Sequence, residues 1–323
     1  MYLGFYGLSK EPFHIAPDPE FFYMSTGHRE ALASVLYGVE KGLGFISLTG
    51  EVGTGKTTIL RTYLERVRKS QVRSIYLFNA NQTFDSLLTY LLDQFDVESR
   101  GESEYWKLQA LTRELIYELG RNRRVVLVID EAHQMPVETF QKLHLISNLE
   151  LPDQKLLQII LTGQPELDEK LNTHALRQIR QRIAVRGRLM PLTVKESIDY
   201  INHRLTHADG HPQKVMTLSA MKAIARAAKG LPREINVLCD NALINGYGYK
   251  VTPVSKRLAK TVIREFSSAP RVRTWRWLTA GLVATFLFGL MGAFLYATAS
   301  ASTTVPSATV VQPVHAKPGE AVR

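Results

Sequence analysis

The sequence predicts an α/β core built on a parallel sheet, followed by a helical domain and then one apolar span. Three observations carry this expectation. Short apolar runs alternate with helical stretches through the first part of the chain, the signature of a sheet covered on both faces. After about Pro191 the strand-like runs stop and only helical patterns remain. Finally, Trp277 to Ala297 places 21 residues in a row without one charge.

Taken in order, the first thirty or so residues are rich in aromatics and proline, with Phe13, Phe21, Phe22 and Tyr23 among Pro12, Pro17 and Pro19. The prolines argue against a regular helix, so an ordered loop packed by its aromatics is expected. A helix should run from about His28 to Lys41, with Leu32, Val35, Leu36 and Val39 on one face, ended by Gly42 and Gly44. Phe45 to Thr49 reads as a buried parallel strand, followed by a glycine-rich turn and a helix. Ser74 to Phe78 is a second strand and Phe84 to Phe95 a helix, with another helix from Leu108 to Arg121. Val125 to Ile129 and Leu156 to Thr162 are further apolar strands with a helix between them. Val194 to His207, Ser219 to Ala228, Pro232 to Asn245 and Ser255 to Phe266 read as four helices. The expected layout is an N-terminal segment with its first helix (1–40), an α/β core (41–190), a helical domain (191–268), a membrane helix (276–297) and a disordered tail (298–323).

The uncharged run is long enough to cross a bilayer core of about 30 Å. Trp275, Trp277 and Tyr296 lie near its ends, where aromatic belts belong. Arg264, Arg271, Arg273 and Arg276 precede it, and no basic residue follows until Lys317. The positive-inside rule then puts the N-terminal bulk in the cytoplasm and the tail outside, as a single-pass protein of the cytoplasmic (inner) membrane. A buried core helix is the alternative, but a soluble core rarely needs so long an uncharged run. Met1 to Lys10 lacks a charged stretch followed by an apolar one, so no cleavable leader is expected. With Cys239 the only cysteine, an internal disulfide is excluded. A formal net charge of +10 favours anionic partners without choosing among nucleotide, nucleic acid and anionic lipid.

Gly50-Glu51-Val52-Gly53-Thr54-Gly55-Lys56-Thr57 fits G-x-x-x-x-G-K-[ST] in full, between a predicted strand and a predicted helix. Such a loop turns backbone N–H groups and a helix N-terminus toward phosphate oxygens. Lys56 would neutralise the β- and γ-phosphates of ATP, and the Thr57 hydroxyl would ligate Mg²⁺. The strand Val125 to Ile129 ends in Asp130-Glu131, which puts Asp130 beside that loop to hold a water on Mg²⁺ and Glu131 where it can polarise the attacking water. At the end of the next strand, Gln164 or Thr162 could hydrogen-bond the γ-phosphate or the water, with Gln164 preferred. Arg177, Arg180, Arg182, Arg186 and Arg188 crowd into twelve residues, either as a solvated basic face or with one acting as a finger on a neighbouring subunit's nucleotide; Arg182 is the choice. Arg233 follows Pro232 at the start of a helix, where a cation works against the dipole and is better explained by a phosphate.

The opening Phe5-Tyr6-Gly7-Leu8, Pro12-Phe13, Pro17-Asp18-Pro19, Phe22-Tyr23 and His28-Arg29-Glu30-Ala31-Leu32 resemble the general secretion pathway protein A (ExeA-like) ATPases. So do Tyr37-Gly38, the loop from Leu48 through Thr58, Asp130-Glu131-Ala132-His133 and Gly163-Gln164-Pro165-Glu166-Leu167. The resemblance runs from residue 1 to about 265, plus the apolar span. Its relatives include ATPases of exosortase and exopolysaccharide export loci, pilus biogenesis ATPases and DNA-transposition helpers. It implies an AAA+ P-loop module with a parallel sheet and a C-terminal α-helical lid, usually active as a homo-oligomeric ring, a hexamer being one form. By motif, Gly50 through Thr58 would be Walker A, Asp130 and Glu131 Walker B, Gln164 sensor 1 and Arg233 sensor 2, with the opening aromatics and His28 near the adenine. It also implies an envelope export partner in the membrane and a peptidoglycan-binding region; with about 26 residues after the apolar span, that region is not expected here.

The function expected is an ATPase that couples hydrolysis to assembly or gating of an envelope export system. The alternative is a DNA-acting ATPase, which the charge and the transposition relatives allow and the apolar span weighs against. A helicase would need a second α/β motor domain where the chain reads as helices, and a sensor that does not hydrolyse sits poorly with Glu131.

Overall fold

The computed structural model describes residues 1–267 apart from 17, 69, 70 and 153. The apolar span and the tail expected at 276–323 lie outside the described residues, and no helix among the described residues is long and apolar enough to cross a membrane.

Five strands form one parallel sheet in the order β2–β3–β6–β1–β7: β1 Phe45–Gly50, β2 Val72–Leu77, β3 Arg124–Ile129, β6 Leu157–Gly163 and β7 Ile183–Leu189. Between β3 and β6, β4 (Glu150–Leu151) and β5 (Gln154–Lys155) make a small antiparallel hairpin. Every residue of β1 and β6 is buried, as continuous apolar runs in a doubly covered sheet require. Because side chains alternate across a strand, the sheet feeds two cores. On one face Phe45, Leu127, Ile129, Ile159 and Leu161 pack with the helices Phe84–Asp93, Glu104–Gly120 and Val137–Ser147. On the other, Ile46, Leu48, Val126, Val128 and Ile160 pack with Thr26–Glu40 and Lys56–Val67.

One strand goes beyond the expectation. β7 pairs along the free edge of β1, from Phe45↔Ile183 to Gly50↔Leu189. Its sequence, Ile-Ala-Val-Arg-Gly-Arg-Leu, alternates burial with exposure because the edge is covered on one side only, and the arginines mask its period. The five arginines are therefore split between the short helix Arg177–Arg182 and this strand.

The third core belongs to the helical domain, where Val194–His207, Leu218–Ala227, Pro232–Gly248 and Lys256–Ser267 pack together. Thr193 starts this domain with a capping box, its hydroxyl accepting from the Glu196 N–H while the Glu196 carboxylate accepts from the Thr193 N–H. The N-terminal segment contributes to this same core. Tyr2, Tyr6, Leu8, Phe13 and Phe21 are buried in it, Tyr2 donates to Asp240 Oδ1 at 2.6 Å, and Tyr6 donates to the Leu243 carbonyl at 3.1 Å. Instead of a loop throughout, the segment holds a short helix at Leu3–Tyr6, ahead of the prolines, and a 3₁₀ turn at Pro19–Phe21. The chain then crosses to the sheet, where Phe22 and Met24 join the second core.

The chain leaving β7 enters the helical domain at Leu192, which is buried in that domain's core and donates its N–H to the Gly230 carbonyl at 2.9 Å. Gly230 has φ +77°, and a Cβ there would lie 2.0 Å from the Leu192 carbonyl oxygen. Gly230→Ala should therefore lose about 1–3 kcal/mol for the backbone conformation, with the clash added. Equilibrium urea unfolding checks this: an unchanged midpoint would show that the junction tolerates a side chain.

Candidate nucleotide site

The C-terminal edge of the sheet assembles the site. β1 ends at Gly50 and the Lys56–Val67 helix begins six residues on, so the intervening loop hangs over the edge between the core and the helical domain. Gly55 caps that helix with φ 104°, and a Cβ there would strike His28 Nε2 at 2.7 Å. Only glycine fits both demands. Thr54 Oγ1 donates to the Glu51 carbonyl at 2.8 Å, which closes the loop on itself. Val52, Gly53, Gly55, Lys56, Thr57 and Thr58 face a cavity of about 410 Å³, whereas Gly50, Glu51 and Thr54 frame the loop behind them.

Lys56 is buried, and its Nζ donates to the Gly50 carbonyl at 2.7 Å and to the Glu51 carbonyl at 3.0 Å. Burial pushes its pKa below the usual lysine value, while the charges of Glu131 and Asp130 act in the opposite direction.

Asp130 follows β3 and is held by three donors. Tyr76 gives its hydroxyl to Oδ2 at 2.6 Å, Thr162 gives its hydroxyl to Oδ1 at 2.5 Å, and the Glu131 N–H reaches Oδ1 at 2.9 Å. Burial and the contact with Asp130 push the Tyr76 phenol well above its ordinary pKa, so it stays a donor. Glu131 sits at φ 50°, ψ 38°, a left-handed conformation uncommon for a side chain of its size. Its Oε2 accepts from Gln164 Nε2 at 3.3 Å and lies 3.3 Å from His133 Nδ1, and its side chain lines the cavity. The structure thus brings Glu131 and Gln164 together and gives Thr162 to Asp130.

Arg233 faces the cavity from the first turn of the Pro232–Gly248 helix, and its N–H points to the Gly53 carbonyl at 3.4 Å. Arg182 is elsewhere. It ends the helix before β7, at the sheet edge opposite Gly50, exposed and bonded to the side chains of Asn148 and, at 3.5 Å, Ser147. A cation there cannot serve its own chain's cavity.

The far end of the cavity is walled by Ile15, Ala16, Asp18, Phe22 and Tyr23 from the N-terminal segment and by Tyr200, Arg204 and Asn236 from the helical domain. His28 stands between the two ends. Its Nε2 lies 3.0 Å from the Thr54 carbonyl, which can only accept, so Nδ1 takes the Ser25 hydroxyl proton at 2.5 Å. Sequence reasoning missed Tyr76, Tyr200, Arg204 and Asn236. Tyr76 reads as an ordinary strand residue, and the other three read as positions on amphipathic helices.

A loop whose buried lysine faces two carboxylates from a neighbouring strand, beneath a helical cover, defines a P-loop nucleotide-binding protein with a lid. Residues 39–171 match the family model described as an AAA domain. Over 299 residues, 92% of the chain, the sequence is 37% identical to general secretion pathway protein A of Aeromonas hydrophila. The chain thus carries an AAA domain and is a sequence relative of general secretion pathway protein A. It spans about half the length of that relative, 53%. The fold is also similar to the ORC2 protein of Aeropyrum pernix, with a TM-score of 0.60 and 19% identity over 80% of this chain and 72% of that one. A Walker-type ATPase of Pyrococcus abyssi gives a TM-score of 0.52 and 17% identity, covering 87% and 80% of the two chains. At such identities these two show the fold alone.

Burial holds His28 and His203 below the ordinary histidine value of 6.5. Above that pH both states are neutral. Below it the unfolded chain takes up protons that the folded chain refuses, so stability is lost as pH falls through the folded values. His28→Gln should flatten the loss of stability between about pH 7 and about pH 5. Urea unfolding across that range is the check, and a slope equal to wild type would show that His28 is not the group refusing the proton.

Proposed function

We propose that this chain binds ATP with Mg²⁺ and hydrolyses it, and that as a membrane-anchored ring it couples the reaction to assembly or gating of an envelope export complex. The observation that carries the hydrolytic part is the pairing of Glu131 with Gln164 beside the lysine loop. Lys56 would leave the Gly50 and Glu51 carbonyls for β- and γ-phosphate oxygens. The residues suit a hard cation: Thr57 offers a hydroxyl, and Asp130 is a carboxylate fixed by donors alone, able to hold a water of the ion's shell. Bound there, Mg²⁺ would neutralise charge building on the phosphate oxygens. Glu131 takes a proton from water as its oxygen bonds to the γ-phosphorus; the bond from that phosphorus to the bridging oxygen breaks, giving ADP and phosphate. Gln164 steadies the carboxylate, and Arg233 meets the phosphates from the lid. Arg182, remote from its own cavity, would serve as the finger on a neighbouring copy's nucleotide.

The export role rests on the similarity to general secretion pathway protein A, and the anchor on the uncharged run at 277–297. An inner-membrane setting with the ATPase inside follows from the arginines before that run. DNA is the second reading, favoured by the exposed Arg186 and Arg188 on β7 and the net charge of +10.

ATP turnover of the full chain in lipid nanodiscs, with and without duplex DNA, tests both. Glu131→Gln should lower turnover by about 10²–10⁴-fold with ATP still bound, and Lys56→Ala should lose binding. Strong stimulation by DNA would move the assignment to the second reading, and undiminished turnover in Glu131→Gln would remove Glu131 from its role. Tyr76→Phe should raise the Mg²⁺ needed for half-maximal turnover about tenfold, since outer-shell partners of this kind matter by about 10–100-fold. An unchanged Mg²⁺ requirement would separate Tyr76 from the cation.

A further inference from the structure

The end of the cavity away from the glycine loop contains a buried cation that the hydrolytic scheme does not use. Arg204, on the Val194–His207 helix, is 6% exposed, and its partners are neutral acceptors. Nε donates to the Pro12 carbonyl, Nη2 to the His14 carbonyl at 3.2 Å, and Nη1 to the Tyr200 hydroxyl at 2.9 Å. Its guanidinium lies 5.0 Å from the Phe21 ring centroid and 5.7 Å from that of Tyr200. Tyr200 in turn donates to Asn236 Oδ1 at 2.7 Å, and Asn236 Nδ2 donates to the same His14 carbonyl at 3.3 Å.

The network therefore grips the N-terminal segment by two backbone carbonyls, immediately before Ile15, Ala16 and Asp18 enter the cavity wall. A guanidinium removed from water is costly unless its donors are used, so the fork keeps the segment in one place. Ile15 is 58% exposed and lines that cavity, an apolar surface of the kind on which a flat heterocycle packs. Asn236 lies three residues after Arg233 on one helix, which puts both on neighbouring faces of the same element.

We infer that Arg204 and Asn236 are positioning residues for nucleobase recognition, holding the base wall at Ile15, Ala16 and Asp18 to the lid and not to the sheet. The inference rests on the nucleotide-binding reading above. The phosphates go to the loop on the sheet and to Arg233, and the base goes to a wall held by the helical domain. A ligand lacking the base should therefore be indifferent to Arg204.

The test is competition binding on the full chain, displacing a fluorescent ATP analogue with ATP or with magnesium tripolyphosphate, which offers phosphates and no base. Arg204→Met should weaken ATP by about tenfold or more, the scale of losing hydrogen bonds from a charged group, and leave tripolyphosphate within about twofold. Asn236→Leu, a milder change that keeps the guanidinium, should shift the same ratio in the same direction and stands in if Arg204→Met does not fold. Equal weakening of both ligands, or an unmoved ratio, overturns the positioning role. A wild-type chain that binds neither ligand would instead overturn the nucleotide reading itself, so the two failures are distinguishable.

Discussion

The register of β1 between β6 and β7 is the constraint from which the site follows. Thr49 lies opposite Gly163 on one side and Arg188 on the other, and Ile129 of β3 lies opposite Leu161 of β6. Because all these strands are parallel and end together, the loop after Gly50, the carboxylates after Ile129 and the polar residues around Gly163 emerge at one edge. A shift of two residues between β3 and β6 would leave both cores apolar but carry Asp130 away from Thr162, at about 3.3 Å per residue. The buried residues of β1 and β6 thus do more than fill a core: they lock the alignment that lets one hydroxyl reach one carboxylate at 2.5 Å.

A second level of order comes from where the N-terminal segment is buried. Tyr2, Tyr6, Leu8, Phe13 and Phe21 share a core with Leu205, Met221 and Leu243, so the lid is built from both ends of the described chain. The Thr26–Glu40 helix belongs to the sheet. The crossing between these bodies, at Phe22 to Ser25, passes along the cavity next to His28. Loop, histidine and lid are in direct contact there, since His28 reaches the Thr54 carbonyl and Arg233 reaches the Gly53 carbonyl.

Much of this was legible in the sequence because its signals are local. The glycine loop, Asp130-Glu131 and the four lid helices are contiguous patterns whose meaning does not depend on distant partners. What was not legible depends on contacts between distant segments. β7 hides because an edge strand needs one apolar face only, and its outward positions carry arginines. Tyr76 looks like any strand aromatic until β2 is placed beside β3, 54 residues away. Arg204 and Pro12 are 192 residues apart, and no period or motif links a basic helical residue to a backbone carbonyl. Asn236 lies so close to the legible Arg233 that its separate contact is masked by it.

The geometry of the loop shows how its buried lysine is satisfied within the same segment. An ammonium at the bottom of a concave, part-buried site would be costly if left without acceptors. Lys56 avoids this by donating to the carbonyls of Gly50 and Glu51, inside its own loop. The negative charges that oppose its desolvation, Glu131 and Asp130, come from the adjoining strand end. Glu131 in turn occupies a left-handed backbone conformation, a strain of about 1–3 kcal/mol that persists only where surroundings dictate it. Here its N–H is fixed on Asp130 Oδ1, and Asp130 is fixed by Tyr76 and Thr162. The strained residue, the shifted lysine and the triply held aspartate are therefore one coupled unit. Displacing Lys56 from its carbonyls would move a positive charge that lies close to both Glu131 and Asp130, so the position of the lysine and the setting of the two carboxylates are not independent.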